Sequence, residues 1–125
     1  MKKIVKEGSR VILGLVFLVF GLNGFLNFMP TPPLPPEALD FMKALVGTGY
    51  MMPLVKAIEV IAGAMILWGG NKEFLGLVLL APILVNIFLF HAVLAPAGMV
   101  MPIILVIIFK IRVWSHREKY LHLLT

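Results

Sequence analysis

The sequence predicts an all-α integral membrane protein, a four-helix bundle with a short amphipathic interfacial helix in its first loop. Three observations carry that reading. The 125 residues are 61% hydrophobic and only 14% charged, with a mean hydropathy of +1.03; soluble domains are about 45–50% apolar and about 25% charged. The apolar residues fall into four long stretches separated by short segments rich in Pro, Gly or polar residues. Basic residues gather at both ends: Lys2, Lys3, Lys6 and Arg10, then Lys110, Arg112, Arg117 and Lys119. One membrane domain over residues 1–125 accounts for all three. The net charge of +5 then belongs to flanks facing anionic lipid, not to a nucleic-acid surface.

The first span is expected over residues 9–28, with Ser9 as N-cap. The opening MKKIVKEGSR resembles the start of a signal peptide. The apolar run that follows, about 20 residues, is long enough to cross roughly 30 Å of hydrocarbon and reads as a retained span. Five prolines between Met29 and Pro36 stop it and favour an extended connector. Residues 37–46 form the short helix: Pro36, Glu37 and Asp40 suit its first turn, and Leu39, Phe41, Met42, Leu45 and Val46 give it a face that rests at the interface.

The second span is expected over 50–69, with Tyr50 and Trp68 as interfacial aromatics. Asn71-Lys72-Glu73 reads as a tight connection. The third span covers 74–94, and Pro82 should bend it. Pro96-Ala97-Gly98 turns the chain into a fourth span over 99–114, which carries no ionisable residue up to Phe109 and supplies packing or an oligomer face. The tail is amphipathic, with Tyr120, Leu121, Leu123 and Leu124 resting on the membrane surface. Each terminal flank holds four Lys or Arg, against Lys43 in the first loop, Lys72 in the second and none in the third. Both termini are therefore expected in the cytoplasm and the proline loop outside.

Lys56 and Glu59 stand three residues apart in the second span, on one helix face. Charges at such depth are costly, roughly 2.5–3.5 kcal/mol for Lys or Asp at mid-span, and usually face the protein interior in pairs. Counting 1.5 Å per residue from Tyr50, they lie about 9 Å and about 14 Å below the outer surface. Asn23 and Asn27 occupy the outer half of the first span, and Asn86 and His91 that of the third. The inner half is almost purely apolar. This asymmetry predicts a polar pocket between the first three spans, opening outward, with the proline loop and its helix as a lid. The plainer reading makes Lys56–Glu59 a self-satisfied structural pair, the asparagines interhelical glue and His91 a hydrogen-bonded structural residue.

The chain has no cysteine, which excludes dithiol chemistry, iron–sulfur ligation and disulfides by this chain. No Gly-rich phosphate loop or Ser-centred nucleophile elbow occurs. Only His91 among the histidines lies in a span, so a bis-His haem is excluded, and His91, Glu59 and Asn86 make a poor metal-ligand set. No metal site and no evident cofactor are expected. Lys56, Glu59 and His91 suit proton chemistry or the binding of a quinone headgroup, a small anion or a lipid headgroup, and the residues themselves do not choose among these.

Three segments resemble the DoxX/DoxD family of small bacterial membrane proteins: Gly21-Leu22-Asn23-Gly24-Phe25, the run from Pro53 to Gly63 containing Lys56 and Glu59, and the run from Ala81 to His91 containing Asn86. The proline loop leading to Thr48-Gly49-Tyr50 and the basic tail after Trp114 resemble it too, so the likeness covers nearly the whole chain. Some relatives carry a basic residue where Asn27 stands here. The resemblance implies a four-helix protein of the bacterial plasma (inner) membrane. It further implies a subunit or accessory of a quinone- or sulfur-linked redox or oxidative-stress system, acting with a redox partner protein. Two alternatives stand beside it: a structural or assembly protein without ligand, and a small transporter working as a dimer, the simplest homo-oligomer.

Overall fold

The computed structural model describes residues 3–30 and 33–124. Lys2 of the N-terminal basic cluster and Thr31 and Pro32 of the proline connector lie outside the described residues. Helix α1 covers Lys3–Leu26, so Ser9 sits inside it and is not the expected N-cap. The Ser9 hydroxyl instead donates back to the Lys6 carbonyl at 2.9 Å, the usual outlet for a serine within a helix. The helix also stops earlier than expected. Asn27 adopts φ 51° and its N–H donates to the Asn23 carbonyl at 2.9 Å, a left-handed cap that asparagine tolerates better than most residues.

Helix α2 (Pro36–Gly47) follows the prolines. Helix α3 covers Met51–Trp68, and the Thr48 hydroxyl accepts from the Met51 N–H at 3.0 Å at its start. The reversal into α4 (Gly70–Leu89) is made by Gly69 and Gly70, at φ 89° and 59°. Asn71, Lys72 and Glu73 were expected in this connection; they form the first turn of α4, with the Glu73 N–H bonded to the Gly69 carbonyl at 3.2 Å. Two glycines at positive φ complete the turn alone, because no Cβ opposes that backbone. A π-helical turn, Phe90–Leu94, extends α4. A 3₁₀ turn, Pro96–Gly98, leads to α5 (Val100–Ser115) and the short α6 (Arg117–Leu124).

Three helical segments, Lys3–Leu26, Met51–Trp68 and Gly70–Leu94, are long and apolar enough to cross a membrane. Helix α5, with 16 residues, extends about 24 Å. α1 packs along α3 and meets α5, while α4 meets both α3 and α5. Leu13, Phe17, Ala62, Ile66, Leu77, Leu80, Leu84 and Leu105 fill the space between them. At one end of the molecule lie the start of α1, the Gly69–Gly70 turn and α6; we call this the terminal end. The other, the loop end, carries α2, which packs on α3 and on the π turn, with the Phe41 and Phe90 rings 5.6 Å apart.

The contact of α1 with α3 depends on Gly63. A Cβ there would lie 2.6 Å from the Leu18 amide nitrogen and 2.8 Å from the Gly14 carbonyl oxygen. Both atoms belong to backbone and cannot swing aside. Small residues allow this approach in apolar surroundings, where dispersion contacts and not water exclusion hold helices together. Gly63→Ala is therefore expected to lower stability by about 1–3 kcal/mol. Gly8→Ala meets nothing within 4 Å and should be neutral or stabilising by up to about 1 kcal/mol. Detergent-induced unfolding followed by helical circular dichroism separates the two, and equal stabilities would contradict the close packing.

Candidate functional site

Polar side chains collect at two places. The first is the Lys56–Glu59 pair on α3. Positions 59, 62, 63 and 66 form the buried stripe of this helix, so Glu59 points inward and is only 4% exposed. The Lys56 ammonium donates to its carboxylate at 3.3 Å. Lys56 itself remains partly exposed, 24% by side chain. Its stem crosses α1 at Gly24, where a Cβ would lie 2.4 Å from Lys56 Cγ. Helical spacing thus makes the pair, and a glycine on the neighbouring helix gives it room.

The other expected site residues do not converge on it. The Asn23 side-chain oxygen accepts the Met29 N–H at 2.7 Å and closes the end of α1. Asn27 is exposed and serves as the left-handed cap. Asn86 is exposed on the side of α4 away from its buried stripe of Glu73, Gly76, Leu77, Leu80 and Leu84. His91 donates from Nδ1 to the Ile87 carbonyl at 2.9 Å and packs against Phe90 and Gly98. That bond fixes the tautomer, since a carbonyl only accepts. The expected common pocket of these residues is therefore not formed by direct contacts. Depth along a span does not say which neighbour a helix face meets.

The second cluster, at the terminal end, contradicts the expectation that this half is apolar. By sequence Arg112 belongs to a lipid-facing flank and Glu73 to a connection, yet they are 6% and 2% exposed. Arg112 donates from Nε to Glu73 Oε2 at 2.6 Å and from Nη2 to Oε1 at 2.8 Å. Its Nη1 donates to the Lys6 carbonyl at 2.7 Å and to the Ser9 hydroxyl at 3.3 Å. His116 Nε2 donates to Glu73 Oε1 at 2.8 Å. Beside them, Arg10 donates to the Ile66 carbonyl at 3.3 Å, to the Leu67 carbonyl, and to Glu7 at 2.7 Å. A polar cleft of about 420 Å³, lined by Glu7, Arg10, Trp68, Glu73, Arg112 and His116, opens here. One sequence signal was available: Arg112 and His116 are four apart and share a face, and Glu73 is one of six acidic residues in the chain.

This arrangement is a clamp. The fork of Arg112 meets the carboxylate of Glu73 in the bidentate geometry that makes such pairs strong. It joins α5 to α4 and, through Lys6 and Ser9, to α1. Among the described residues no buried side-chain nitrogen or oxygen lacks a hydrogen-bond partner, and no three His, Asp or Glu converge as metal ligands. α6 is drawn in as well. Tyr120 was expected on the membrane surface but packs on Phe74, ring centroids 4.6 Å apart, and donates to the Phe74 carbonyl at 3.3 Å. Lys119 donates to the Asn71 side chain at 2.6 Å. Burial, reinforced by the negative charge of Glu73, pushes the Tyr120 hydroxyl up to about 12.

Arg112→Met should cost roughly 3–5 kcal/mol, since it leaves the buried Glu73 carboxylate held by His116 alone, whereas Arg112→Met with Glu73→Leu should recover most of that loss. Thermal unfolding of the purified single and double variants measures this, and an additive double variant would argue against a coupled pair. For Tyr120 the raised value means that docking of α6 is intact below the ordinary phenol range, near pH 10, and weakens as the pH approaches 12. Limited proteolysis of the C-terminal helix across that range should show its release, with Tyr120→Phe removing the pH dependence.

Compared with the known protein families, the curated proteins and the solved structures, the chain matches none.

Proposed function

We propose that this chain is a DoxX-like protein of a bacterial plasma membrane, with α5 completing four spans and both termini in the cytoplasm. In this reading it is an accessory subunit of a quinone-linked redox system. The Lys56–Glu59 pair meets a quinone or lipid headgroup from the outer, loop end. The observation that carries the reading is Glu59: a carboxylate almost fully buried within a spanning helix, held by a lysine that stays partly accessible. A charge retained at that depth is a functional candidate by default. The turns flanking α5 add the length that its 16 residues lack. The eight basic residues of the two flanks support the orientation.

A second reading has its own support. Lys56 and Glu59 belong to one helix and satisfy each other at 3.3 Å, and the four other expected site residues are turned to other tasks or outward. On that basis the protein is a structural or assembly partner without ligand.

Binding distinguishes the two. A short-chain quinone at one hundred times its Kd would add about 2.7 kcal/mol to the folded state and raise the unfolding temperature of the purified protein. The gain should vanish in Lys56→Met with Glu59→Met. No shift for the wild type with quinone or with anionic lipid, together with an intact cellular phenotype of the double variant, would establish the ligand-free reading. Reporter fusions after Lys43 and after Thr125 test the orientation: the first should report outside and the second cytoplasm.

A further inference from the structure

We propose that α4 is the contact helix of a homodimer, in which the Asn86 amide pairs with the Asn86 amide of a second copy. The inference does not depend on any ligand at Lys56–Glu59. It starts from the polar residue that the fold leaves over. Asn86 lies sixteen residues after Gly70 and eight before Leu94 in the spanning segment Gly70–Leu94, so about 24 Å and about 12 Å from its two ends. Its side chain is exposed and bonds to no described residue. In hydrocarbon an amide has no water to turn to, and leaving its two N–H groups and carbonyl unpaired is costly.

The neighbours of Asn86 define a seam. Leu75, Leu79, Pro82, Asn86 and Leu89 are all exposed. Their spacing is 4, 3, 4 and 3 residues, the heptad spacing with which one helix packs against another. The seam runs the length of α4, opposite the buried stripe that faces α3 and α5. A single Asn among apolar positions of such a seam is the device that fixes register between paired helices. Pro82 adds a second polar group to this surface, because it has no N–H to offer the Val78 carbonyl, and Val78 is 46% exposed.

The occupant follows from symmetry and chemistry. Two copies of one chain insert in a membrane with the same orientation, so a two-fold axis along the membrane normal sets their α4 helices parallel. Residues at the axis then meet their own equivalents at equal depth. An amide suits that position, being donor and acceptor at once, so one Asn86 complements another. A lipid chain offers no such partner. The wide apolar groove between α1 and α5, about 500 Å³ and lined by Ile12, Val16, Phe20, Met101, Ile104 and Ile108 among others, carries no polar side chain that calls for one.

The absence of cysteine makes the test direct. Leu79→Cys and Leu89→Cys should form disulfide-linked dimers on mild oxidation in native membranes. Ile12→Cys and Ile104→Cys, at positions 53% and 51% exposed on α1 and α5, should stay monomeric. Asn86→Leu is a surface change and leaves the monomer folded, which circular dichroism verifies. It should weaken the dimer in detergent between about 3-fold and about 20-fold, while Asn86→Gln keeps it. Cross-linking equal at Ile104 and Leu89, a monomeric wild type, or an Asn86→Leu dimer as tight as wild type would each overturn the proposal.

Discussion

The Arg112–Glu73 pair is the contact on which the terminal end of the molecule rests. One guanidinium binds a carboxylate on α4 with two of its nitrogens and a carbonyl and a hydroxyl on α1 with the third. Three helices are thereby held in one register, and His116 on the same carboxylate carries the chain over into α6. Such a group is not an economical source of stability, because both ions must leave water before they meet. Its effect is to make alternatives poor. A rotation of α5 about its axis would leave Glu73 buried without a partner, and a slide of α1 would remove the acceptors of the third nitrogen.

Lys56–Glu59 and Arg112–Glu73 differ in what they connect. Lys56 and Glu59 belong to consecutive turns of one helix, so their ion pair survives without any neighbour and says little about tertiary structure. What packing adds is burial, since α1 covers the Lys56 stem at Gly24 while Glu59 turns into the bundle. The Glu73–Arg112 pair, by contrast, joins residues far apart in sequence and exists only after the helices have assembled. The first pair therefore needs no second helix to form, whereas the second holds helices together.

Dispersion and close backbone approach do the remaining work. α1 and α3 meet where Gly14 and Gly63 remove side chains from the contact, and a compact set of leucines with Phe17 and Ile66 fills the middle. The outer surface stays apolar: Val93, Val100, Trp68 and Trp114 are each more than 65% exposed. Lys72 lies 4.8 Å over the Trp68 ring and Arg117 stacks 5.0 Å from the Trp114 ring, so both tryptophans at the terminal end carry a cation. Such pairs suit the boundary between hydrocarbon and headgroups. In that setting an outward-facing amide on α4 stands out.

The amino-acid sequence alone determined the helical class, the apolar stretches and, to within a helical turn, the places where the chain reverses, because these depend on local chemistry. Prolines interrupt after Met29, paired glycines reverse the chain after Trp68, and a run of apolar residues forms a helix whatever surrounds it. The spacing of Lys56 and Glu59 was legible for the same reason. Only the tertiary structure decided which residues face inward. In a soluble helix the polar stripe marks the outside, but in an apolar environment both the core and the surroundings favour hydrophobic side chains, so hydropathy carries no phase. Arg112 and Glu73 therefore read as flank and connection until packing turned them into a buried clamp. Asn86, placed by depth beside the lysine–glutamate pair, proved to lie on the opposite side of its helix.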